Sequence, residues 1–437
     1  LRMKNYKNQE AILAKLGITE LNAMQIAALN TIEKCEETIL LSPTGTGKTL
    51  AFLLPIIAHL EQKTNSIQAI ILVPARELAI QIDQVARDMG SGFRIATVYG
   101  GKSGTKERLD LKQTHDVLIG TPGRIADHFR RNALAIKNLK FLVFDEFDKS
   151  LEIGFETEMR EIMEAIPSIE KKVLTSATQS IKVPDFVNLT NPKTVNFLAT
   201  KDESKLEIEV LQTSEQQKLD DFYRLVCSVG QGNGIVFCNF KDTINEVSEF
   251  LNHKNVEHGC FFGGMEQIDR ERVLIKFRNG TNRLLIATDL AARGIDIPDL
   301  DYIIHFELPQ RLDEFTHRNG RTARMHSNGK AYILQDRRLL PEYVVDYSDM
   351  VLNSDKRIHN SEWATLFISG GRKDKISKGD IAGLLFKRGK LDKNEVGAIE
   401  LKADCAFVAI PRKKANAIVQ GLNNQKLKTK KVRISIL

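Results

Sequence analysis

Residues Ser42-Pro43-Thr44-Gly45-Thr46-Gly47-Lys48-Thr49 constrain the fold more than any other stretch of the chain. An apolar run, Ile39-Leu40-Leu41, precedes them and a helix-like run at 50–60 follows. A strand, a glycine turn carrying Lys-Thr and then a helix make a phosphate cradle. Glycines let backbone N–H groups close around phosphate oxygens, and a helix N-terminus adds partial positive charge. On this reading Thr44, Gly45, Thr46 and Gly47 line the cradle, and Lys48 reaches the β- and γ-phosphates. Thr49 offers a hydroxyl to Mg2+. Ser42 stands where the generic pattern opens with glycine, and the plainer alternative is an ordinary strand-to-helix turn.

The rest of the chain repeats that strand-then-helix pattern. Short β-branched runs fall at 38–41, 69–73, 116–119, 141–144 and 173–175, and again at 234–237, 283–287, 302–305 and 331–334. A polar helical stretch follows each. Such alternation predicts parallel sheets covered on both faces, and there are enough strands for two. A charged, apolar-poor stretch, Thr200-Lys201-Asp202-Glu203-Ser204-Lys205, predicts a linker between them, and a second break falls near 353–361. The expected division is 1–200, 206–355 and 362–437.

Charge separates the last segment from the body. Residues 362–437 hold 17 Lys and Arg against 7 Asp and Glu, a net of +10 in a chain whose total is +7. A basic module on a near-neutral body points to a polyanion partner, most often nucleic acid; the alternative is a solvated lysine face. No apolar run reaches the roughly 18 residues of a membrane span, and the N-terminus lacks the apolar core of a signal peptide. The five cysteines are scattered, without a C-x-x-C pair. That predicts a reducing, cytoplasmic setting rather than a disulfide framework or a zinc site.

A phosphate cradle needs a partner that handles metal and water. Asp145-Glu146-Phe147-Asp148 follows the run at 141–144, at the end of a strand where α/β sheets place ligands. Asp145 is the candidate Mg2+ ligand and Glu146 the candidate for orienting or deprotonating the attacking water. The alternative is an acidic helix cap.

These residues, with others in order, resemble the motifs of DEAD-box RNA helicases over about residues 17–335. Asp145-Glu146-Phe147-Asp148 is a DEFD form of the signature. Pro74-Ala75-Arg76-Glu77-Leu78-Ala79, Gly100-Gly101, Thr121-Pro122-Gly123-Arg124, Ser176-Ala177-Thr178 and Gln267-Ile268-Asp269-Arg270 match further motifs. So do Thr288-Asp289-Leu290-Ala291-Ala292-Arg293-Gly294-Ile295-Asp296 and His317-Arg318-Asn319-Gly320-Arg321-Thr322-Ala323-Arg324, the latter with Ala323 where glycine is usual.

The resemblance implies two tandem RecA-like P-loop domains of α/β class that bind ATP and Mg2+. Lys48, Asp145, Glu146 and His317 would act on the triphosphate, with Arg321 and Arg324 as arginine fingers. Guanidinium forks suit phosphate oxygens. Gly294 and Asp296 would complete nucleotide binding. Arg76, Gly101, Thr121, Arg124, Arg270 and Thr288 would grip the RNA backbone. Ser176 and Thr178, bonding to the 145–148 segment that includes Asp148, would couple the two sites. The segment 17–25 resembles the Q motif, in which the Gln25 amide would pair with adenine. Ile18, Leu21, Asn22 and Ala23 depart from its usual residues.

Residues 362–437 read as strand 365–369, helix 378–388, strands 396–401 and 405–410, helix 413–422 and strand 431–436. That order is the plan of an RNA-recognition motif, a small α+β domain. Phe407 matches one base-stacking position, whereas Cys405 occupies the other. Phe367 and Phe407 read as core residues ahead of base platforms, and Arg372, Lys373, Lys375, Lys387, Arg388, Lys413 and Lys414 are the candidate basic contacts. The whole arrangement resembles the bacterial DbpA-like subgroup. That implies an ATP-dependent helicase that locally unwinds structured RNA, ribosomal RNA of the large subunit first, as a monomer away from membranes. An ATP-gated RNA clamp, a general RNA chaperone or mRNA-decay helicase, and a DNA helicase stand as alternatives.

Overall fold

The computed structural model describes residues 9–43, 45–62, 64–101, 111, 115–166, 168–178, 183–198, 206–230, 232–289, 300–322, 329–352, 358 and 360–437. Thr44, Gly294, Asp296 and Arg324, assigned above, lie outside the described residues, as do the expected linker at 200–205 and much of the break at 353–361. The chain divides near residue 203 into two compact units.

The first unit is built on seven parallel strands, β1 (Glu37–Leu41), β2 (Ala69–Leu72), β3 (Ile95–Val98), β4 (Val117–Gly120), β5 (Phe141–Phe144), β6 (Lys171–Ser176) and β7 (Lys193–Asn196). They lie in the order β3-β4-β2-β5-β6-β1-β7. Successive side chains on a strand point to opposite faces, and both faces here are apolar. Ile71, Val117, Ile119, Phe141 and Val143 pack under the helices Lys48–His59 and Arg76–Asp88. Their neighbours Ile70, Leu72, Leu118, Leu142 and Phe144 pack under the helices Pro122–Arg130 and Glu156–Ala165. The near-continuous apolar runs in the sequence thus follow from double-sided burial.

The second unit contains another seven parallel strands: β8 (Leu206–Leu211), β9 (Gly234–Phe237), β10 (Gly259–Phe261), β11 (Leu284–Ala287), β12 (Tyr302–His305), β13 (Gly329–Leu334) and β14 (Tyr347–Asp349). Their order is β10-β11-β9-β12-β13-β8-β14. The expected strands are present with ends shifted by one or two residues. β3, β7, β8, β10 and β14 are additional. Among the described residues, no helix is long and apolar enough to cross a membrane.

The second unit also holds an antiparallel sheet of β15 (Trp363–Ile368), β16 (Ile399–Leu401), β17 (Ala406–Pro411) and β20 (Ile434–Ile436), ordered β16-β17-β15-β20. A hairpin of β18 (Lys426–Leu427) and β19 (Lys430–Lys431), absent from the sequence reading, precedes β20. The helices Lys378–Lys387 and Arg412–Leu422 cover one face and share a core with Leu366, Ile368, Val408 and Ile410.

The other face carries Thr365, Phe367, Phe407 and Glu400. It is held to the parallel sheet's helix Gln267–Arg278 and the turn after it. Arg278 forms a two-pronged ion pair with Glu400 at 2.7 and 2.9 Å. The hydroxyls of Thr281 and Thr365 bond at 2.7 Å, and Asn279 Nδ2 donates to Thr365 Oγ1 at 3.3 Å, all buried. A second pair, Arg412 with Glu257 at 2.7 and 2.6 Å, lies at the edge. Both pairs are partly exposed, and such pairs contribute about 1 kcal/mol or less. A double-mutant cycle of Arg278→Ala and Glu400→Ala in urea unfolding is expected to give a coupling of ~0.5–1 kcal/mol. Additive losses would mean that the pair does not hold the two sheets.

Candidate nucleotide and nucleic-acid sites

In both parallel sheets the sequence-assigned residues gather at the carboxyl ends of the strands, where open α/β sheets bind ligands. Strand order sorts them. In the first sheet β1, β5 and β6 are neighbours or nearly so, and they lead into the 42–49 loop, Asp145 and Ser176 respectively. On the other side β3, β4 and β2 lead into Gly101, Thr121 with Arg124, and Arg76.

The 42–49 loop is pinned at both ends. Ser42 N donates to Ser176 O at 3.0 Å, which ties the loop to β6. Lys48, 8% exposed, opens its helix and donates from Nζ to the carbonyls of Ser42 at 2.5 Å and Pro43 at 2.9 Å. Its ammonium is thus held against the backbone of the loop. Gly47 caps that helix at φ +85°, in the left-handed region that favours glycine, and a Cβ there would collide with Gln25 Nε2. Thr49 is half-buried in the first turn.

Gln25 is buried and works inside the protein. Its Nε2 donates to Gly47 O at 3.3 Å, and its Oε1 accepts from Asn22 N at 3.0 Å. Asn22 Oδ1 accepts from Gln25 N at 2.9 Å, completing a capping box on the helix Ala23–Lys34. Asn22 Nδ2 reaches Thr46 O at 3.0 Å. Asn22 therefore steadies the loop directly. The sequence reading counted it only as a departure from a motif, although Asn followed three residues later by Gln was a visible cap signal.

Asp145, 3% exposed, sits just past β5, and its N–H donates to Leu72 O at 2.9 Å. Thr175 Oγ1 donates to Asp145 Oδ1 at 2.5 Å and accepts from Glu146 N at 3.1 Å. Burial pushes the Asp145 carboxyl above the usual aspartate value, against the pull of the Thr175 hydroxyl and the Lys48 ammonium. Glu146 lies at φ 47°, ψ 53°, a left-handed conformation unusual outside glycine. Strain of that kind costs ~1–3 kcal/mol and concentrates at functional positions. Asp148 is 9% exposed; its Oδ2 accepts from Thr178 Oγ1 at 3.2 Å, and its Oδ1 is buried with no hydrogen-bond partner.

Ser176 departs from the expected pattern: its hydroxyl bonds to Thr178 Oγ1 at 3.1 Å, not to the 145–148 segment. Thr175, on the opposite face of β6, makes the contact to Asp145 and Glu146. Asp148 Oδ1 is buried without a partner, and the charges of Asp148 and Lys48 both act on Asp145; the Asp145 carboxylate and the Thr49 hydroxyl are oxygen donors of the kind hard cations take. The buried ammonium of Lys48 suits a polyphosphate. The residues present therefore fit a metal–nucleotide pair.

On the other half of the rim, Arg76 opens the helix Arg76–Asp88, and its guanidinium lies under Gly101. A Cβ on Gly101, which has φ +91°, would stand 2.7 Å from Arg76 Nη1. Thr121 caps the helix Pro122–Arg130, and Arg124 in its first turn pairs with Asp127 at 3.0 Å.

The second sheet repeats the layout. Arg270 follows β10, Thr288 follows β11, and the helix Leu312–Asn319, which carries His317 and ends just before Arg321, follows β12. Arg270 Nη1 donates to Phe262 O at 3.1 Å, and its guanidinium lies 4.3 Å over the Phe261 ring. Thr288 N donates to Phe261 O at 3.3 Å. His317 is half-buried, and Arg321 is 9% exposed.

The residue that sequence reading passed over is Arg318, 1% exposed. It bonds to Asp289 through both Nε, at 2.7 Å, and Nη2, and to Glu307 O at 2.6 Å and Asn239 Oδ1 at 2.7 Å. It thereby ties the ends of β9, β11 and β12 to the helix that carries His317. In the third sheet Phe367 and Phe407 pack on each other at 5.6 Å between ring centroids, and Phe407 is 6% exposed. They lie on the docked face rather than on an open base platform. Cys405 is half-buried, and burial raises its thiol to about 11.

Comparison with known proteins agrees. A DEAD/DEAH box helicase model matches residues 22–186, and a helicase conserved C-terminal domain model matches 217–326. A DbpA RNA binding domain model matches 365–436. ATP-dependent RNA helicase DbpA of Escherichia coli (strain K12) is 30% identical over 442 residues, 97% of this chain and 96% of that protein. The chain belongs to the DEAD-box ATP-dependent RNA helicases. Within that family it is of the DbpA type, since the Bacillus subtilis (strain 168) DbpA also aligns over 99% of this chain and 98% of its own length, at 28% identity. Among solved structures, S. cerevisiae Dbp5 bound to RNA and ADP BeF3 matches with a TM-score of 0.68 and 25% identity, over 78% of this chain and 93% of that one.

Two outcomes follow for the second helicase sheet. Arg318→Lys keeps a charge but loses the fork, and Arg318→Ala leaves Asp289 without its partner. The latter is expected to cost about 3 kcal/mol in denaturant unfolding, and the lysine variant part of that. His305, at the end of β12, is fully buried, and that burial, with the Arg318 charge beside it, lowers its pKa to about 3. A histidine held neutral when folded takes its proton more readily unfolded. Its contribution is therefore complete above its ordinary value near 6.5 and is lost progressively as pH falls toward 3. His305→Asn is expected to flatten the acid side of the stability–pH curve in that window.

Proposed function

We propose that this helicase separates short RNA duplexes locally during assembly of the large ribosomal subunit, in the cytoplasm and as a monomer. The observation that supports the targeted reading is the basic segment 362–437, net +10, joined to the second helicase sheet by two-pronged ion pairs. We divide the chain into 1–200, 206–355 and 362–437. Arg372, Lys373, Lys375, Lys387, Arg388, Lys413 and Lys414 are all exposed there. Arg388 bonds to Gln425 at 3.1 Å and Lys414 to Glu395 at 2.5 Å, so Lys373, Lys375, Lys387 and Lys413 are the cations we assign first to RNA phosphates. Tethering raises the local concentration of RNA at the helicase sheets.

The roles at the rim follow from the chemistry of phosphoryl transfer, which is dominated by positioning and charge stabilisation. Lys48 binds the β- and γ-phosphates within the cradle formed with Thr44, Gly45, Thr46 and Gly47. Asp145 and Thr49 are the ligands of Mg2+, which when bound supplies positive charge to the phosphate oxygens. Glu146, fixed by its left-handed backbone and the Thr175 bond, orients the attacking water. Arg321 and Arg324 neutralise charge developing on the transferred group, and His317 also acts on the triphosphate. Gln25, Gly294 and Asp296 complete the nucleotide contacts. The spare lone pair and N–H of the Gln25 amide are what remain to read adenine.

Arg76, Gly101, Thr121, Arg124, Arg270 and Thr288 hold the RNA backbone. Asp148, Thr178 and Ser176 form a hydroxyl–carboxylate chain that links the nucleotide side to the RNA side. Contacts to backbone and 2′-OH separate RNA from DNA without reading sequence.

The test is ATPase rate against three RNAs: a large-subunit ribosomal fragment, an unrelated structured RNA and poly(U). Stimulation by the ribosomal fragment alone, lost when Lys373, Lys375, Lys387 and Lys413 are changed to alanine together, is expected. Equal stimulation by all three would reduce the basic segment to a general RNA anchor. Glu146→Gln is expected to lower turnover ~100-fold or more while RNA is retained. Unchanged turnover would refute the site, and trapping of RNA without any unwinding by the unaltered protein would favour a clamp.

A further inference from the structure

An exposed aromatic ring stands on the rim of the second parallel sheet among basic side chains. Phe240 is 64% exposed at the N-cap of the helix Lys241–His253, in an extended conformation (φ −124°, ψ 152°). The residue before it is fixed three times over. Asn239 N donates to Glu307 Oε2 at 2.6 Å, its Nδ2 donates to Leu308 O at 2.9 Å, and its Oδ1 accepts from Arg318 at 2.7 Å. The ring therefore projects from rigid backbone rather than from a loose loop.

Its surroundings are complementary to a nucleic acid strand. Lys241, the next residue, is exposed, and its ammonium lies 5.3 Å over the Phe262 ring. Phe262 O in turn accepts from Arg270 at 3.1 Å. Gly263 and Gly264 follow, both exposed, with open space beside each. Ile268, 59% exposed, stands on the same turn as Arg270. Of the acidic neighbours, Asp269 is paired with Arg272 at 3.6 Å, whereas Asp242 is exposed. Exposed rings interleaved with cations are what single-stranded nucleic acid binds, bases on the rings and phosphates on the cations.

We propose that the Phe240 ring stacks on one unpaired RNA base, so that the second sheet grips the strand by a base as well as by its backbone. The proposal rests on the reading of Arg270 and Thr288 as RNA contacts. A stacked base brings no requirement for its identity, because every base has a π-face. The contact therefore favours a strand already separated over one still paired, since a base inside a duplex has no free face to offer.

The experiment measures affinity of the full-length protein for fluorescein-labelled oligo(U) by anisotropy, with a non-hydrolysable ATP analogue, across a salt series. Phe240→Ala is expected to weaken binding by roughly 5- to 100-fold, from the ~1–3 kcal/mol of one base–aromatic stack. The slope of log affinity against log salt is expected to stay unchanged, because no phosphate contact is lost. Phe240→Trp is expected to restore affinity, with its indole emission quenched on adding oligo(U). Arg270→Ala is the control, with a salt slope lower by about 1.

Wild-type affinity in Phe240→Ala with weakened binding in Arg270→Ala would overturn the stacking proposal alone and leave the ring as a protein contact. Weakening with a reduced salt slope would also overturn it, since the ring would then act by placing Lys241 or Arg270. Wild-type behaviour in both variants would overturn the RNA reading of this rim and the proposal with it.

Discussion

A parallel strand ladder must be covered on both faces, and that constraint governs where chemistry can occur in this protein. Ile70 and Ile71, or Leu142 and Val143, are successive residues buried against different layers of helix. No polar site can open through such a face without unpaired groups in the core. Backbone leaves the ladder only at the rims, and at the carboxyl rim Lys48, Asp145, Arg76 and Thr121 collect in one sheet, and Arg270, Thr288 and Arg321 in the other.

Charge on these rims is held by buried hydrogen bonds rather than by surface pairing. Thr175 bridges Asp145 and Glu146, Asp148 binds Thr178, and Ser42 and Pro43 carbonyls hold the Lys48 ammonium. In the second sheet Arg318 gathers Asp289, Glu307 and Asn239. A low-dielectric setting strengthens each of these bonds and raises the cost of leaving any unmade. Preorganisation of this kind suits phosphoryl transfer, in which the protein supplies position and charge more than covalent chemistry.

The small antiparallel sheet is arranged by a different constraint. One face makes its own core under two helices, and the opposite face, which carries Phe367 and Phe407, turns toward the parallel sheet of the same unit. That face is closed to base stacking, while the basic loops and helix ends remain in water. The segment's charge is thereby presented from a fixed position on the second helicase sheet rather than from a loose tether.

The sequence by itself determined the class of both helicase sheets, the phosphate loop and the order of motifs along the rims, because each depends on local signals: apolar period, glycine turns and short motifs at strand ends. Strands with weaker patterns escaped it. β8, Leu-Glu-Ile-Glu-Val-Leu, alternates visibly but lies beside a charged stretch, and β7 is an edge strand with a single buried residue, Val195. Only the tertiary structure decided that Thr175 rather than Ser176 braces Asp145, that the Gln25 amide bonds to Gly47, and that Arg318 is buried while its neighbour His317 is half-exposed. Those choices turn on which face of a strand or helix meets which partner far away in sequence, and no local pattern carries that information. The docking of Thr365 on Thr281, 84 residues apart, is of the same kind.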